Sequence, residues 1–326
     1  MKVLVTGGCG FIGSHFMRHW VREHPADEVV NLDLLTYAGK QENLRGLAPS
    51  SYRFVKGSIA DQMHVTQLFK TYDFETVINF AAESHVDKSI RGPRIFVESN
   101  VTGTLNLLEC AYQHWRMKPD WQKRCRYVQI STDEVYGSLP EDEPEKRFSE
   151  TSLFAPSSPY SASKAAADHL VMAYWRTFGM PALITRCSNN FGPFQDPEKL
   201  IPLMIMNAMR GRKLPVYGDG LNVRDWIYVE DHCAAVDLAL HKGRPGEAYN
   251  IGADSERRNI DLVHLILKLM GKSENLIQFV PDRPGHDRRY AIDSSKARAE
   301  LGWAPRHTFE DALEKTIAWY QESLCH

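Results

Sequence analysis

At 326 residues with 43% hydrophobic and 25% charged side chains, the chain can bury a sizeable core as one large domain or two unequal ones, which excludes disordered and collagen-like classes. Its 41 acidic and 39 basic residues leave a formal charge of -2, so no bulk field draws it to nucleic acid or to an anionic membrane, and an anionic ligand needs a local basic cluster. The six cysteines, Cys9, Cys110, Cys125, Cys187, Cys233 and Cys325, form no Cys-x-x-Cys pair, which argues against a metal site or a disulfide framework and for reduced thiols in the cytoplasm. Met1-Lys2 leads directly into a short apolar stretch, so no leader is expected, and no apolar run reaches the ~20 residues of a membrane span.

In chain order, short Val/Ile/Leu-rich runs alternate with longer amphipathic stretches, the pattern of a parallel sheet with crossover helices. Strands are predicted at Lys2-Thr6, Val29-Leu32, Arg53-Lys56, Val77-Phe80, Tyr127-Ser131 and Ala182-Arg186, with helices near Phe11-His24, Val65-Tyr72, Val97-His114 and Ser161-Phe178. Such connections place ligand-binding loops at the carboxyl ends of the strands. After Cys187 the rhythm changes: Pro193, Pro197, Pro202 and Pro215 break the chain, Gly218 and Gly220 cluster, and later helices are predicted at Val229-His241, Asp261-Met270 and Phe309-Ser323. Leu139-Phe148, rich in Glu and Pro, reads as a surface loop. The fold class is therefore α/β: a Rossmann-type doubly wound parallel sheet with a smaller C-terminal α/β substrate-binding region.

Gly7, Gly10 and Gly13, with Phe11 and Ile12 between the last two, follow the first strand and open a helix, where close glycines let backbone amides approach a pyrophosphate. Asp33 ends the next strand about 20 residues after the last glycine, placed to accept hydrogen bonds from an adenosine ribose. A carboxylate there repels a 2′-phosphate, so the expected cofactor is NAD. Ala81 and Ala82 end another strand with two small residues that let backbone pass close to a flat ring, and Ser58-Ile59 follows the third strand, with Ile59 expected against adenine.

Tyr160 and Lys164, four apart at the start of a predicted helix, project from one face, and an ammonium there favours phenolate. The strand before them ends in Thr132-Asp133-Glu134, a hydroxyl and two carboxylates at the carboxyl edge of the sheet. An alcohol dehydrogenase needs only the hydroxyl. Eliminating water from a sugar also needs a base for the carbon acid and an acid for the departing hydroxyl, and two carboxyls in different environments divide those roles.

With these pieces together, the chain resembles the dTDP-glucose 4,6-dehydratases of the extended short-chain dehydrogenase/reductase type. The resemblance runs from Val3-Leu4-Val5-Thr6-Gly7-Gly8 through Asn31-Leu32-Asp33, Leu35-Thr36-Tyr37-Ala38-Gly39, Ala81 to Asp87, Ser131 to Gly137, Tyr160 to Lys164, Cys187 to Asn190, Pro197 to Pro202 and Pro281 to Asp287. It implies a redox cycle within one substrate. Tyr160 deprotonates the 4-hydroxyl beside Thr132 while NAD accepts hydride, Glu134 takes the C5 proton, Asp133 protonates the leaving C6 hydroxyl, and hydride returns to C6 and a proton to C5 to give a 4-keto-6-deoxy sugar. The resemblance adds Thr36, Asn100 and Ser131 as cofactor contacts. It carries over Ser84, Asn189, Lys199, Leu200, Tyr217, Arg224, Asn259, Arg283, His286 and Tyr290, with Thr132, as nucleotide-sugar contacts, the two arginines being suited to phosphate. It implies an NAD domain of residues 1–186 with a returning segment at about 223–250, a nucleotide-sugar domain of 187–222 and 251–326, and a homodimer paired through the helices near Asn100 and Tyr160. Leu34 and Ser58 depart from the family pattern, where a lysine and an aspartate are frequent, which weakens contacts at the adenosine end. A UDP-sugar 4,6-dehydratase and a nucleotide-sugar 4-epimerase stay open as alternatives, as does an NAD-binding sensor without catalysis; Asp133 and Glu134 argue against the last two.

Overall fold

A computed structural model describes residues 1–282 and 284–323. Strands β1 (Lys2–Thr6), β2 (Glu28–Asp33), β3 (Arg53–Lys56), β4 (Thr76–Asn79), β5 (Arg126–Thr132) and β6 (Ala182–Cys187) fall within a residue or two of the six predicted runs. They join a late strand, β10 (Ala248–Ile251), in one parallel sheet of order β3-β2-β1-β4-β5-β6-β10. Val3, Leu4 and Val5 are fully buried in the middle of β1, because helices cover both faces and leave no solvent side for polar alternation. One face carries α1 (Phe11–Glu23), whose Phe16, Met17 and Trp20 are buried, together with α9 (Val229–Lys242). The other carries α2 (Gln62–Tyr72), α5 (Gly103–Trp115) and α7 (Pro159–Phe178), packed on one another. The strand order reverses between β1 and β4, the place where doubly wound sheets open a ligand crevice.

Local chemistry sets the helix starts. Ser158 and Ser161 form a reciprocal capping box ahead of α7, Pro159 supplies its first turn, and Gly179 closes it at φ +63°. Tyr160 and Lys164 are thereby fixed in the first two turns, pointing at β5. The predicted helix at Val97-His114 is interrupted: after α3 (Val86–Arg91) and the turn α4 (Arg94–Phe96), the chain passes through a π-turn, Val97–Thr102, before α5 begins.

Beyond a short α6 (Trp121–Arg124), the remaining elements build the smaller region. A three-stranded sheet runs β11 (Glu256–Arg258), β9 (Val223–Tyr228), β7 (Asn189–Phe191), and β8 (Leu214–Tyr217) pairs with β12 (Ile277–Val280). Helices α8 (Leu200–Met209), α10 (Asn259–Leu269) and α11 (Phe309–Ser323) cover them. The returning segment begins later than 223: β9 belongs to the small sheet, and the chain rejoins the large one through α9 and β10. Leu139-Phe148 is a loop, pinned by Arg289, which donates to the carbonyls of Lys146 at 2.9 Å and Pro144 at 2.6 Å. No described helix is long and apolar enough to cross a membrane.

Candidate active site

A cleft of about 550 Å³ opens at the carboxyl edge of the large sheet, walled by loops after β1, β2, β4, β5 and β6 and by residues 194–199. Its floor is the glycine turn. Gly7 adopts φ +71°, and a side-chain carbon there would sit 2.7 Å from the Ala81 amide nitrogen; at Gly13 it would sit 2.1 Å from the Gly7 carbonyl oxygen. No side chain caps the start of α1, whose N-cap is Gly10, so its first N–H groups remain available to an anion. Asp33 is buried and held by two amides, Cys9 N to Oδ2 and Leu35 N to Oδ1, both at 2.8 Å. Burial raises its carboxyl above the ordinary range while those two amides pull the other way.

Gly7, Gly10, Phe11, Ile12, Gly13, Asp33, Thr36, Ser58, Ile59, Ala81, Ala82, Ser131, Tyr160 and Lys164 all line this cleft. Asn100 does not. It is buried in the π-turn, exchanges hydrogen bonds with the backbone of Glu83 at 2.8 and 2.9 Å, and donates to Ser163 Oγ at 2.8 Å, which clamps the loop after β4. The cleft fits a dinucleotide: a glycine cradle at a helix N-terminus, the Asp33 carboxylate at the end of β2 in its lining, and buried polar atoms without a protein partner at Ser131 Oγ, Ser188 Oγ and Asn189 Oδ1.

The reacting end lies where β5 stops. Thr132 Oγ1 accepts from Glu134 N at 3.3 Å and donates to Asp133 Oδ1 at 3.2 Å, starting the 3₁₀ turn Asp133–Tyr136. Asp133 is 1% exposed, and its Oδ2 makes no hydrogen bond. Burial first, then the charges of Glu134 and Asp225, raises its carboxyl well above the usual range and so favours the acid form. Tyr160 is buried edge-on to Phe96, and its hydroxyl is hydrogen-bonded to Thr132. Its phenol is pushed up, by burial and then by Glu134, so the protein's own groups outweigh the lowering expected from Lys164. Lys164 donates to Ile130 O at 2.5 Å, and burial lowers its ammonium.

The nucleotide-sugar set divides. Ser84, Thr132, Asn189 and Lys199 line the cleft, with Lys199 Nζ donating to Ser84 O at 3.1 Å. Arg224 stacks over Tyr290 at 4.5 Å and donates to Asp287 O at 2.8 Å, while Tyr290 feels the charge of Glu134 and so adjoins the reacting end. Tyr217 meets His286 edge to face at 6.2 Å, and Asn259, at the start of α10, keeps a buried Oδ1 without a partner. Leu200, the first residue of α8, packs on the core next to the cleft residue Lys199. Arg283 lies outside the described residues.

Sequence reasoning missed a seam across the cleft mouth. Glu198 pairs with Lys88 Nζ at 2.9 Å and His85 Nε2 at 3.2 Å, and Lys88 sits 3.6 Å over the Tyr37 ring. It also missed that α11, a helix it does predict, reaches the cleft wall, where the Tyr320 hydroxyl donates to Gln195 O at 2.6 Å. Tyr37 stands in a stretch already singled out by resemblance, but partners so far apart in sequence leave no local signal.

A family model described as GDP-mannose 4,6 dehydratase matches residues 4–316. A dTDP-glucose 4,6-dehydratase of Xanthomonas campestris pv. campestris is 52% identical, over 97% of this chain and 92% of that protein. The chain belongs to the dTDP-glucose 4,6-dehydratase family. The family member of Salmonella typhimurium is 49% identical, over 98% of this chain and 92% of the relative. Among solved structures, the dTDP-glucose 4,6-dehydratase DesIV of Streptomyces venezuelae, with NAD and TYD bound, superposes with a TM-score of 0.91 at 45% identity, over 99% of this chain and 97% of that one. The UDP-glucose 4-epimerase of Thermotoga maritima shares the scaffold at a TM-score of 0.90 but only 29% identity, over 99% of this chain and 100% of that one.

Proposed function

We propose that the chain dehydrates dTDP-glucose to dTDP-4-keto-6-deoxyglucose with NAD as a bound cofactor. The observation that carries this is Asp133: a carboxyl whose burial favours its acid form, hydrogen-bonded to Thr132 beside Tyr160, in a cleft that also holds a glycine cradle at a helix N-terminus. A 4-epimerisation has no leaving hydroxyl and needs no such acid. Bound NAD supplies the hydride acceptor for C4 and the hydride donor for C6. Thr132 orients the 4-hydroxyl, and Tyr160 takes its proton with Lys164 behind. Glu134, on the more exposed side of the same turn, removes the C5 proton, and Asp133 delivers its proton to the departing C6 oxygen. Lys199 and Arg224 bring positive charge for the diphosphate, Tyr290 and Asn259 orient the rest.

The exposed apolar residues Ile90, Ile95, Val97 and Leu105, on the helices around the π-turn, support pairing as a homodimer through that face. The five described cysteines are unpaired and buried, in keeping with a cytoplasmic enzyme.

The test is a mass-spectrometric panel of dTDP- and UDP-hexoses with purified protein and no added NAD. dTDP-glucose is expected to lose one water; an unchanged panel rejects the dehydratase reading, and a preference for UDP-glucose rejects the base assignment. In Glu134→Gln, elimination is expected to fall by ~10²- to 10⁴-fold while reduced nicotinamide accumulates. Intact turnover in that variant would move the base elsewhere.

A further inference from the structure

Where α1 ends, roughly 20 Å along its axis from the glycine turn at 1.5 Å per residue, three imidazoles converge on one carboxylate. Asp237, in the middle of α9, has Oδ1 2.9 Å from Nδ1 of His241, one turn further along the same helix. His24 Nε2, at the end of α1, lies 3.1 Å from both Asp237 oxygens, and His19 Nε2 lies 2.8 Å from Oδ2. The donor atoms of His24, Asp237 and His241 all fall within 4.8 Å of one another.

The rings are held in place. Trp20 packs at 4.1 Å on His24 and stacks at 5.7 Å on His241, and the two imidazoles are themselves stacked at 5.0 Å with 20° between their planes. Around tetrahedral zinc, bonds of ~2.0–2.1 Å set neighbouring ligand atoms ~3.3 Å apart. The observed 2.9 and 3.1 Å need to open by only a few tenths of an ångström to admit an ion.

We propose that His24, Asp237 and His241 bind a divalent transition-metal cation of the zinc class, with water completing its shell. His19, on the second carboxylate oxygen, orients the ligand as an outer partner. Two imidazoles and one carboxylate suit zinc and cobalt and are a poor site for calcium or magnesium, which take oxygen ligands. The ion staples α1 to α9 on one face of the large sheet. Its role is in stability, since none of its ligands lines the cleft.

The test uses the full-length, NAD-loaded protein after dialysis against a chelator. Titration with ZnCl₂ by calorimetry is expected to show one equivalent bound, CoCl₂ to give the intense visible band of a low-coordinate cobalt site, and the Tm to rise with zinc concentration. Asp237→Asn and His241→Gln are each expected to lose the equivalent, the cobalt band and the zinc-dependent Tm rise, with turnover of dTDP-glucose unchanged. His241 is exposed, so its variant carries the test should Asp237→Asn fold poorly. No zinc heat in the parent protein, or an equivalent that survives His241→Gln, overturns the site. A Tm that falls in the variants but never responds to zinc does so too, because it identifies a hydrogen-bonded clamp.

Discussion

Asp225, on β9, offers a stability change whose pH course follows from one carboxyl. It is 1% exposed, and its Oδ1 accepts from Ser255 N at 2.8 Å. Burial, opposed by the Ser255 amide and reinforced by Asp254 and Glu256, raises it from an ordinary 3.8 to about 7. At ~1.36 kcal/mol per pH unit that displacement is worth roughly 4 kcal/mol. The raised value means the folded chain binds this proton more tightly than the unfolded chain. The stability it contributes is therefore fully present below roughly pH 4 and is lost as pH rises through about 7. Asn keeps the acceptor for Ser255 and cannot ionise. Urea unfolding of Asp225→Asn and the parent should coincide near pH 4 and diverge upward, the variant gaining as much as roughly 4 kcal/mol by pH 8. A gap that stays constant from pH 4 to pH 8 would refute the reasoning. The same substitution reaches the chemistry, because ionised Asp225 helps Asp133 hold its proton. The alkaline limb of kcat/KM should move to lower pH in the variant.

Two other substitutions test separate parts of the structure. Gly13→Ala places a carbon 2.1 Å from the Gly7 carbonyl oxygen, so the turn must open, and the purified variant should carry little or no NAD by absorbance; full cofactor content would show that the turn yields without cost. Arg186 Nε and Asp168 Oδ2 form a 2.8 Å pair at 6% and 1% exposure, and Arg186 also donates to the Tyr136 hydroxyl. Arg186→Met leaves the carboxylate buried without compensation, which should cost ~3–5 kcal/mol in thermal or urea unfolding, and Arg186→Met/Asp168→Leu should recover much of the loss. A single variant as stable as the parent would show that the buried pair is not needed for stability.

Six strands of the large sheet were legible because they are short runs with Val/Ile/Leu-rich centres separated by amphipathic helices, so the same pattern that buries them also announces them. The small sheets were not. β7 and β11 have three residues each, too few to show any period, and β9 reads Val-Arg-Asp-Trp-Ile-Tyr, where Arg224 and Asp225 are buried for reasons set by distant partners. Asn100 illustrates the limit for the site. Its proximity to the cofactor cleft follows from the fold, but whether its amide turns toward a ligand or toward Glu83 and Ser163 depends on the π-turn, which adds one residue to a helical repeat without a mark in composition. Leu200 likewise sits next to a cleft residue, Lys199, yet the start of α8 rotates it onto the core.

Two carboxylates adjacent in sequence were expected to divide acid from base, and nothing in the dipeptide says which is which. The backbone decides it. Asp133 and Glu134 begin a 3₁₀ turn, where successive side chains are directed ~120° apart, so burying one necessarily turns the other away. Thr132 fixes the phase of that turn by accepting from Glu134 N and donating to Asp133 Oδ1. Asp133 is then buried at the cleft wall near Asp225, where burial favours its acid form, while Glu134 stays partly exposed near Tyr160 and Tyr290. A base must be ionised and an acid protonated at the same pH, and a turn that buries one of two adjacent carboxyls and leaves the other partly exposed suits the proposed division of roles.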